Sequence, residues 1–349
     1  MIYSKVIKFD NKIDWELNLK KTNSTLLESS YNFCNIFKNY LINTEPEIFY
    51  FESNKSKCSY TYLKSKTLIG DCYHIHSPYC YGGFSTNDES ENFFSLFREN
   101  FVKYCHENRI VSEFIRLNPI THKENFFYKN YFDYYNKHCV NLYADLQKGY
   151  KIPLRENTKR LINSAKKNSN LNFTFDNSEK FQSFFHMYNS NMEIKNIKNF
   201  FNFDEFFFEN LYKCIKNDFY FPTISLNNKI IAGAIFLKNE DYLDLYLAAS
   251  YPIAKEIKGC NHLLFHKFFS KIYNDFKNIK LIHLGGGSDK LKFFKYNFAK
   301  EECDYFVIKN IINKDLYEKI LKIKISNINY NEIFPDKKLY NYNLAKYLN

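Results

Sequence analysis

The chain has 349 residues, 45% hydrophobic and 25% charged, with a net charge of +11 at pH 7. That balance is ordinary for a globular protein and excludes disorder as a description of the whole; at ~100–200 residues per domain it predicts two domains. The basic surplus permits anionic partners and selects none, because 44 Lys are spread along the chain against only five Arg, a bias typical of AT-rich coding.

No apolar run nears the ~18–20 residues of a transmembrane helix; the longest is 230–237. The first 15 residues carry Lys5, Lys8, Asp10 and Lys12 and no apolar h-region, so a cytoplasmic protein is expected, free to visit the inner membrane face. The nine Cys form no C-x-x-C pair and are expected to be reduced.

In chain order, residues 29–41 have helical spacing. Residues 48–52 and 58–63 read as strands about the polar turn Ser53-Asn54-Lys55-Ser56. A short strand, 72–76, ends at Ser77-Pro78 and Gly82-Gly83, which are strong breakers. Residues 91–108 place Phe94, Phe97, Phe101 and Tyr104 on one helical face. Strands 110–117 and 139–146 follow, and Gly149 to Pro153 is the expected seam, giving domains 1–149 and 150–349.

The second half begins with a basic helix, 154–168, and a strand, 171–175. Ser178 is the expected N-cap of a helix over 179–192, and Asp204 falls in the first turn of another over 203–217. A β-meander comes next: 220–226 and 229–237 about the two-residue turn Asn227-Asn228, then 242–249. Strand 230–237 is apolar on both faces and should be central. A loop (250–259), a helix (261–276), a strand (280–284), Gly285-Gly286-Gly287, a small helix (289–297) and a strand (303–308) complete the pattern. The first half repeats the motif of strand, Gly loop, helix and strand, a hint of two similar domains.

The second-half order matches the GNAT acyltransferase fold. Ser77-Pro78-Tyr79-Cys80-Tyr81-Gly82-Gly83 resembles the S-P-Y-G-Y-G-G string of Fem-like proteins, with Cys80 where a Gly is usual. Ser112-Glu113-Phe114-Ile115-Arg116 with Pro119 resembles their S-E-F-I-R-x-x-P, and 155–167, ending Ala165-Lys166-Lys167, their N-x-R-x-x-I-x-x-A-K-K helix. Leu284-Gly285-Gly286-Gly287 with Phe293-Phe294-Lys295 and Phe298 resembles their L-G-G-G…F-K-x-x-F. The matches run in the family's order over about residues 71–310. The long coiled-coil insertion of some bridge-forming members is absent.

The resemblance implies an α+β fold of tandem GNAT-like domains, each a mixed, mostly antiparallel sheet flanked by helices. It implies a bacterial transferase of cell-envelope biogenesis, related to peptidoglycan-bridge aminoacyltransferases, with an acceptor side in 1–149 and a donor cleft in 150–349. Acyl transfer would run from acyl-CoA to an amine of an envelope precursor such as an amino sugar. The alternatives are an aminoacyl-tRNA donor with a peptide acceptor, or a GNAT-like binding protein without catalysis. By the same resemblance Lys295 contacts the donor's carbonyl or phosphate region.

In a GNAT domain the strands at 242–249 and 280–284 would splay and expose backbone amides to the donor. Lys255, Lys258, Gly259 and Asn261 lie before the next helix, where free N–H groups and the positive helix end suit a pyrophosphate. Gly285, Gly286 and Gly287 allow close backbone approach to a ligand, and Phe294 precedes the Lys. Asp244 and Tyr246 have the parity to face that cleft and take the amine proton. Asp71 is a candidate to hold the acceptor amine, with Tyr79, Tyr81, Gly82 and Gly83 beside it. Arg116, in an otherwise buried strand, wants a carboxylate or phosphate: an anionic acceptor, or an ion pair with Glu113. Basic helix 155–167 is a candidate contact for tRNA or a membrane-borne phosphate. Cys72, His74, His76 and Cys80, and His262 with His266, are residue types that ligate zinc, and Cys260–His262 is a candidate nucleophile pair, but the spacings favour ordinary buried side chains and no metal is expected.

Overall fold

The computed structural model describes residues 2–67, 71–122, 126–147, 149–194 and 203–321. They form two compact units: Cys139–Asp304 is the second, and the chain on either side of it is the first. Gly149 to Pro153 lies within the second unit.

The first unit contains β1 (Ile2–Lys8), α1 (Lys12–Lys21), α2 (Tyr31–Tyr40), β2 (Thr44–Ser53), β3 (Ser56–Lys66), β4 (Tyr73–His76), β5 (Gly83–Thr86), α3 (Glu91–Glu107) and β6 (Ile110–Arg116). β1 to β4 are antiparallel neighbours, β6 runs parallel to β4, and β5 pairs with β3. Asn54, at φ 58°, makes the tight β2–β3 turn. The Ser90 hydroxyl caps α3 by accepting from the Phe93 N–H. The helix then buries Phe93, Phe94, Phe97, Phe101 and Cys105 against Phe49, Phe51, Tyr60, Tyr62 and Ile115. A smaller cluster joins α1 and α2 to the sheet through Trp15, Phe9, Cys34 and Ile48.

β7 (Tyr134–Asp145) leads into the second unit. It is followed by α4 (Glu156–Lys166), β8 (Leu171–Thr174), α5 (Gln182–Ile194), α6 (Glu205–Ile215), β9 (Phe219–Tyr220), β10 (Thr223–Leu226), β11 (Lys229–Asn239), β12 (Tyr242–Ser250), α7 (Pro252–Glu256), α8 (Cys260–Asp275), β13 (Leu281–Gly285) and α9 (Asp289–Lys295). β14 (Glu301–Ile311) leads back to the first unit, where Val307 to Ile311 pair antiparallel with β6, and α10 (Lys314–Leu321) ends the described chain.

The sheet of the second unit runs β8-β10-β11-β12-β13-β7, antiparallel except for β12 with β13. Asn227 and Asn228 both take positive φ, 47° and 65°, as the two-residue hairpin turn requires. β11 is central and covered on both faces. Phe236 stacks on Phe268 of α8 at 4.2 Å. On the other face, a Cβ at Gly233 would lie 2.6 Å from the Phe221 ring.

The structure corrects one expected cap. Ser178 opens a short 3-10 turn and donates to Asp176, and the helix starts at Gln182. No helix of the described residues is long and apolar enough to cross a membrane.

Candidate active site

The centre of the second unit is the place where β12 and β13 part. Their parallel ladder holds for Tyr242, Leu243 and Asp244 opposite Leu281, Ile282 and His283. There it stops, although β12 continues to Ser250 with ladder pairs to β11 alone among the described residues. Both strands bulge just beyond the last pair. Against β11, residues 245 and 247 of β12 pair with neighbouring positions, so Tyr246 is the extra residue. Against β7, the register of β13 skips Leu284. A bulge bends its strand and increases the local twist, so two bulges at one level separate the strands.

Four buried side chains meet at that root. Asp244 is 5% exposed and His283 1%. His283 Nδ1 and Asp244 Oδ1 lie 2.5 Å apart, and the other carboxylate oxygen accepts from Asn239 Nδ2 at 2.8 Å. On its far side, His283 Nε2 lies 3.2 Å from Asn141 Nδ2, on β7. Asn141 Oδ1 accepts in turn from the Cys139 thiol at 3.4 Å. The register places Asp244 beside His283 in the ladder, and alternation along β7 puts Cys139 and Asn141 on one face.

The glycine string rests on the same residues. Gly285 and Gly287 take positive φ, 67° and 131°. A Cβ on Gly286 would lie 2.7 Å from Asn141 Oδ1 and 2.8 Å from Cys139 Sγ. This close approach is to the chain's own side chains. The Gly286 carbonyl accepts a hydrogen bond from Lys295 Nζ. Lys295 ends α9 and is 5% exposed. Burial pulls its pKa from 10.5 down to about 7; the nearby Cys139 works against the shift and Lys292 adds to it. Lys295 is therefore a buried amine that loses its proton more readily than an ordinary surface lysine. Tyr246 is buried at the bulge on the same strand as Asp244.

The N-terminal end of α8 lies beside the end of β12, since Asn261 Nδ2 reaches Ser250 Oγ at 3.5 Å. Lys255 and Lys258 are exposed there. Gly259 has φ 85°, and a Cβ on it would lie 2.1 Å from the Leu161 carbonyl of α4. Its close approach is thus a helix contact. Phe294 packs on His262 at 4.8 Å and on Phe298 at 5.3 Å. Arg155, Lys159, Arg160, Lys166 and Lys167 are all exposed about α4, and the Arg155 guanidinium lies 4.0 Å over the exposed ring of Phe293.

The first-unit candidates form a different kind of arrangement. Arg116 is 3% exposed, and its Nη2 donates to the carbonyls of Ser77 and Pro78 at 3.1 and 3.0 Å. Glu113 pairs with Arg98 rather than Arg116, through two hydrogen bonds at 2.6 and 3.3 Å, and also accepts from Asn310. Tyr79 is buried beside Arg116, and Tyr81 packs edge-on to Tyr305. Gly82 and Gly83 line a cleft of about 170 Å³ with Phe84, Asp88, Glu89 and Tyr128. Asp71 is exposed and paired with Lys66 at 2.9 Å. His74 stacks on His76 at 5.5 Å, and Cys72 accepts from Arg109. Among the described residues no group of His, Cys, Asp or Glu is arranged to hold a metal ion.

His283, Asn141 and Cys139 escape the sequence reading. His283 sits between Ile282 and Leu284 in a strand that reads as core, and its partner is 39 residues away. The parallel register alone brings them together.

No family model matches the chain, and neither does any curated protein. Solved structures do. FemX aligns over 90% of this chain and 99% of its own, with a TM-score of 0.68 at 10% identity. A tandem GNAT protein from the clavulanic acid biosynthesis pathway aligns over 88% and 98%, with a TM-score of 0.52 at 6% identity. L-PGS from Bacillus licheniformis aligns over 85% and 91%, with a TM-score of 0.52 at 12% identity. At these identities the likeness establishes the fold alone: tandem GNAT-like units, as the sequence resemblance implied.

Proposed function

We propose that the chain is an N-acyltransferase that moves an acyl group to the amine of a cell-envelope precursor such as an amino sugar. The observation that carries this reading is the open β12–β13 crossover with Lys295 buried beside it. Transfer to an amine needs a donor carbonyl held in line, a positive group for the developing oxyanion, and a dry site in which that charge counts. The unladdered edge of β12 suits the first need, and Lys295, in its charged fraction, suits the others. The acceptor side falls to residues 1–149 and the donor cleft to residues 150–349. Gly82 and Gly83 line the first unit's cleft, whose polar wall suits the body of the acceptor.

A second donor class has an observation of its own. Gly259 is filled by the Leu161 carbonyl, so the entry to α8 keeps no open glycine for a pyrophosphate. The exposed basic residues of α4 and the Arg155–Phe293 pair offer a surface for phosphates and bases instead. Aminoacyl-tRNA is therefore the alternative donor.

Thermal-shift titration of the purified chain with CoA, acetyl-CoA and longer acyl-CoAs tests the first donor, since a ligand at 100 times its Kd adds ~2.7 kcal/mol. A saturable shift weakened in Lys258→Ala, with release of free CoA on adding glucosamine, is the expected result. A gel shift with aminoacyl-tRNA tests the second. Binding of neither donor, with no transfer, overturns the reading.

A further inference from the structure

The proposed transfer leaves one group unassigned, the acceptor of the amine proton. Asp244, the sequence candidate, has its oxygens turned to His283 and Asn239. We propose that His283 is that acceptor, with Asp244 as its positioning residue; this rests on the acyltransferase reading above.

The hydrogen bonds fix the direction of the relay. A carboxylate accepts, so His283 donates to Asp244 from Nδ1. Asn141 Nδ2 donates, so His283 Nε2 carries the lone pair. The ring is thus held in the tautomer whose basic nitrogen points away from the carboxylate. That is the arrangement of a general base: the buried anion orients the imidazole and stabilises the imidazolium once it forms. Position agrees with chemistry. His283 is the last residue of β13 laddered to β12, at the point where those two strands open. In the resting chain Asn141 occupies the lone pair, and the incoming amine replaces it.

In the step itself, the amine nitrogen bonds to the acyl carbon while one of its protons passes to Nε2. The bond from carbon to the donor's sulfur or oxygen then breaks, and the electron pair leaves with that atom. His283 returns the proton to the leaving group, so the imidazole ends neutral and no proton is gained or lost over the cycle. The titratable groups facing this cluster are Asp244 on β12, Cys139 on β7, Cys303 on β14 and Lys295 on α9. Cys303 is protonated near neutrality, because burial and the nearby Asp244 raise its pKa to about 12.

The test variant is His283→Gln. Glutamine keeps a donor for Asp244 and an acceptor for Asn141 but cannot take a proton. With acetyl-CoA and glucosamine, or aminoacyl-tRNA and glucosamine, kcat should fall by ~10²–10⁴. The donor KM and the melting temperature should stay unchanged. Asp244→Asn should lower kcat as well, since an amide permits the other tautomer. Nitrogen NMR of the histidine-labelled full chain reads the resting state directly, with His283→Gln assigning the signal. A bare Nε2 and a protonated Nδ1 are expected from the hydrogen bonds. A proton on Nε2 overturns the assignment whatever the transfer assay gives. Full transfer by His283→Gln overturns the assignment alone and leaves the acyltransferase standing. Absence of transfer by the wild-type chain with every pair overturns the functional reading itself.

Discussion

Among the described residues each unit contains a crossover of the same form, a strand followed by a helix and a parallel strand. One is closed and the other open. In the first unit the parallel pair β4 and β6 is extended past its end. Ser77 N–H donates to the Phe114 carbonyl, Gly82 N–H to that of Arg116, and Asn118 N–H to that of Gly82. Arg116 then caps the carbonyls of Ser77 and Pro78. In the second unit the pair β12 and β13 stops at Asp244 and His283, and both strands bulge apart. The closed crossover buries its charges as a fork, Arg98 on Glu113. The open one buries Lys295 against a carbonyl. One topology thus closes over its parallel pair in one copy and leaves it open in the other.

The largest effect should come from the open copy. Lys295→Met should lower acyl transfer by ~10²–10³, the cost of losing one oxyanion donor. The same change should stabilise the chain. The folded pKa of Lys295 is about 7 and its ordinary value 10.5. The buried ammonium is therefore a cost that is fully present below pH 7 and falls away as pH rises toward 10.5. Removing it should add stability at pH 6 and progressively less above pH 7. Urea unfolding of both proteins at pH 6, 8 and 10 reads the difference. A gap that does not narrow with pH would show that Lys295 is not held in the way described.

The closed copy should answer in stability. Glu113→Ala leaves Arg98, 3% exposed, as an unpaired buried cation. Removing one partner of such a pair costs ~3–5 kcal/mol. An intermediate loss is expected from Gly259→Ala, whose Cβ would meet the Leu161 carbonyl at a φ unsuited to alanine. Strain of this kind costs of order 1–3 kcal/mol, and any lost donor binding in that variant reflects α4 displaced from α8. Lys258 is the cleaner probe of donor binding, being exposed at the same helix end.

Parts of this contrast are legible in sequence. The meander, its Asn227-Asn228 turn, the crossover helices and the glycine string all follow from local chemistry. The strings about Glu113, Arg116 and Lys295 point to the fold. Which of these residues pair with one another is not legible, because it depends on register. α1 also escapes. Its apolar residues alternate at 13, 15, 17 and 19, whereas Trp15, Asn18 and Leu19 form the buried face and Ile13 and Leu17 are exposed. β1 carries Lys5 and Lys8 and is exposed over its first three residues, so it lacks the apolar signal of a core strand.

The smallest effect tests the closed copy at one backbone angle. Cys80 stands where the resembling string carries glycine, and its φ is 45°. Cys80 thus takes a left-handed conformation that favours glycine. For an L residue that conformation costs roughly 1–2 kcal/mol, and glycine relieves it while adding ~0.5–1 kcal/mol of entropy to the unfolded chain. Cys80→Gly should therefore stabilise the first unit by about 0.5 kcal/mol, seen as a higher urea midpoint at an unchanged slope. It should leave acyl transfer untouched, because the segment from Ser77 to Gly83 would be acting through its backbone. Destabilisation would mean that the Cys80 side chain holds the segment in place, and that the closure of this crossover depends on more than Arg116 and the glycine hydrogen bonds.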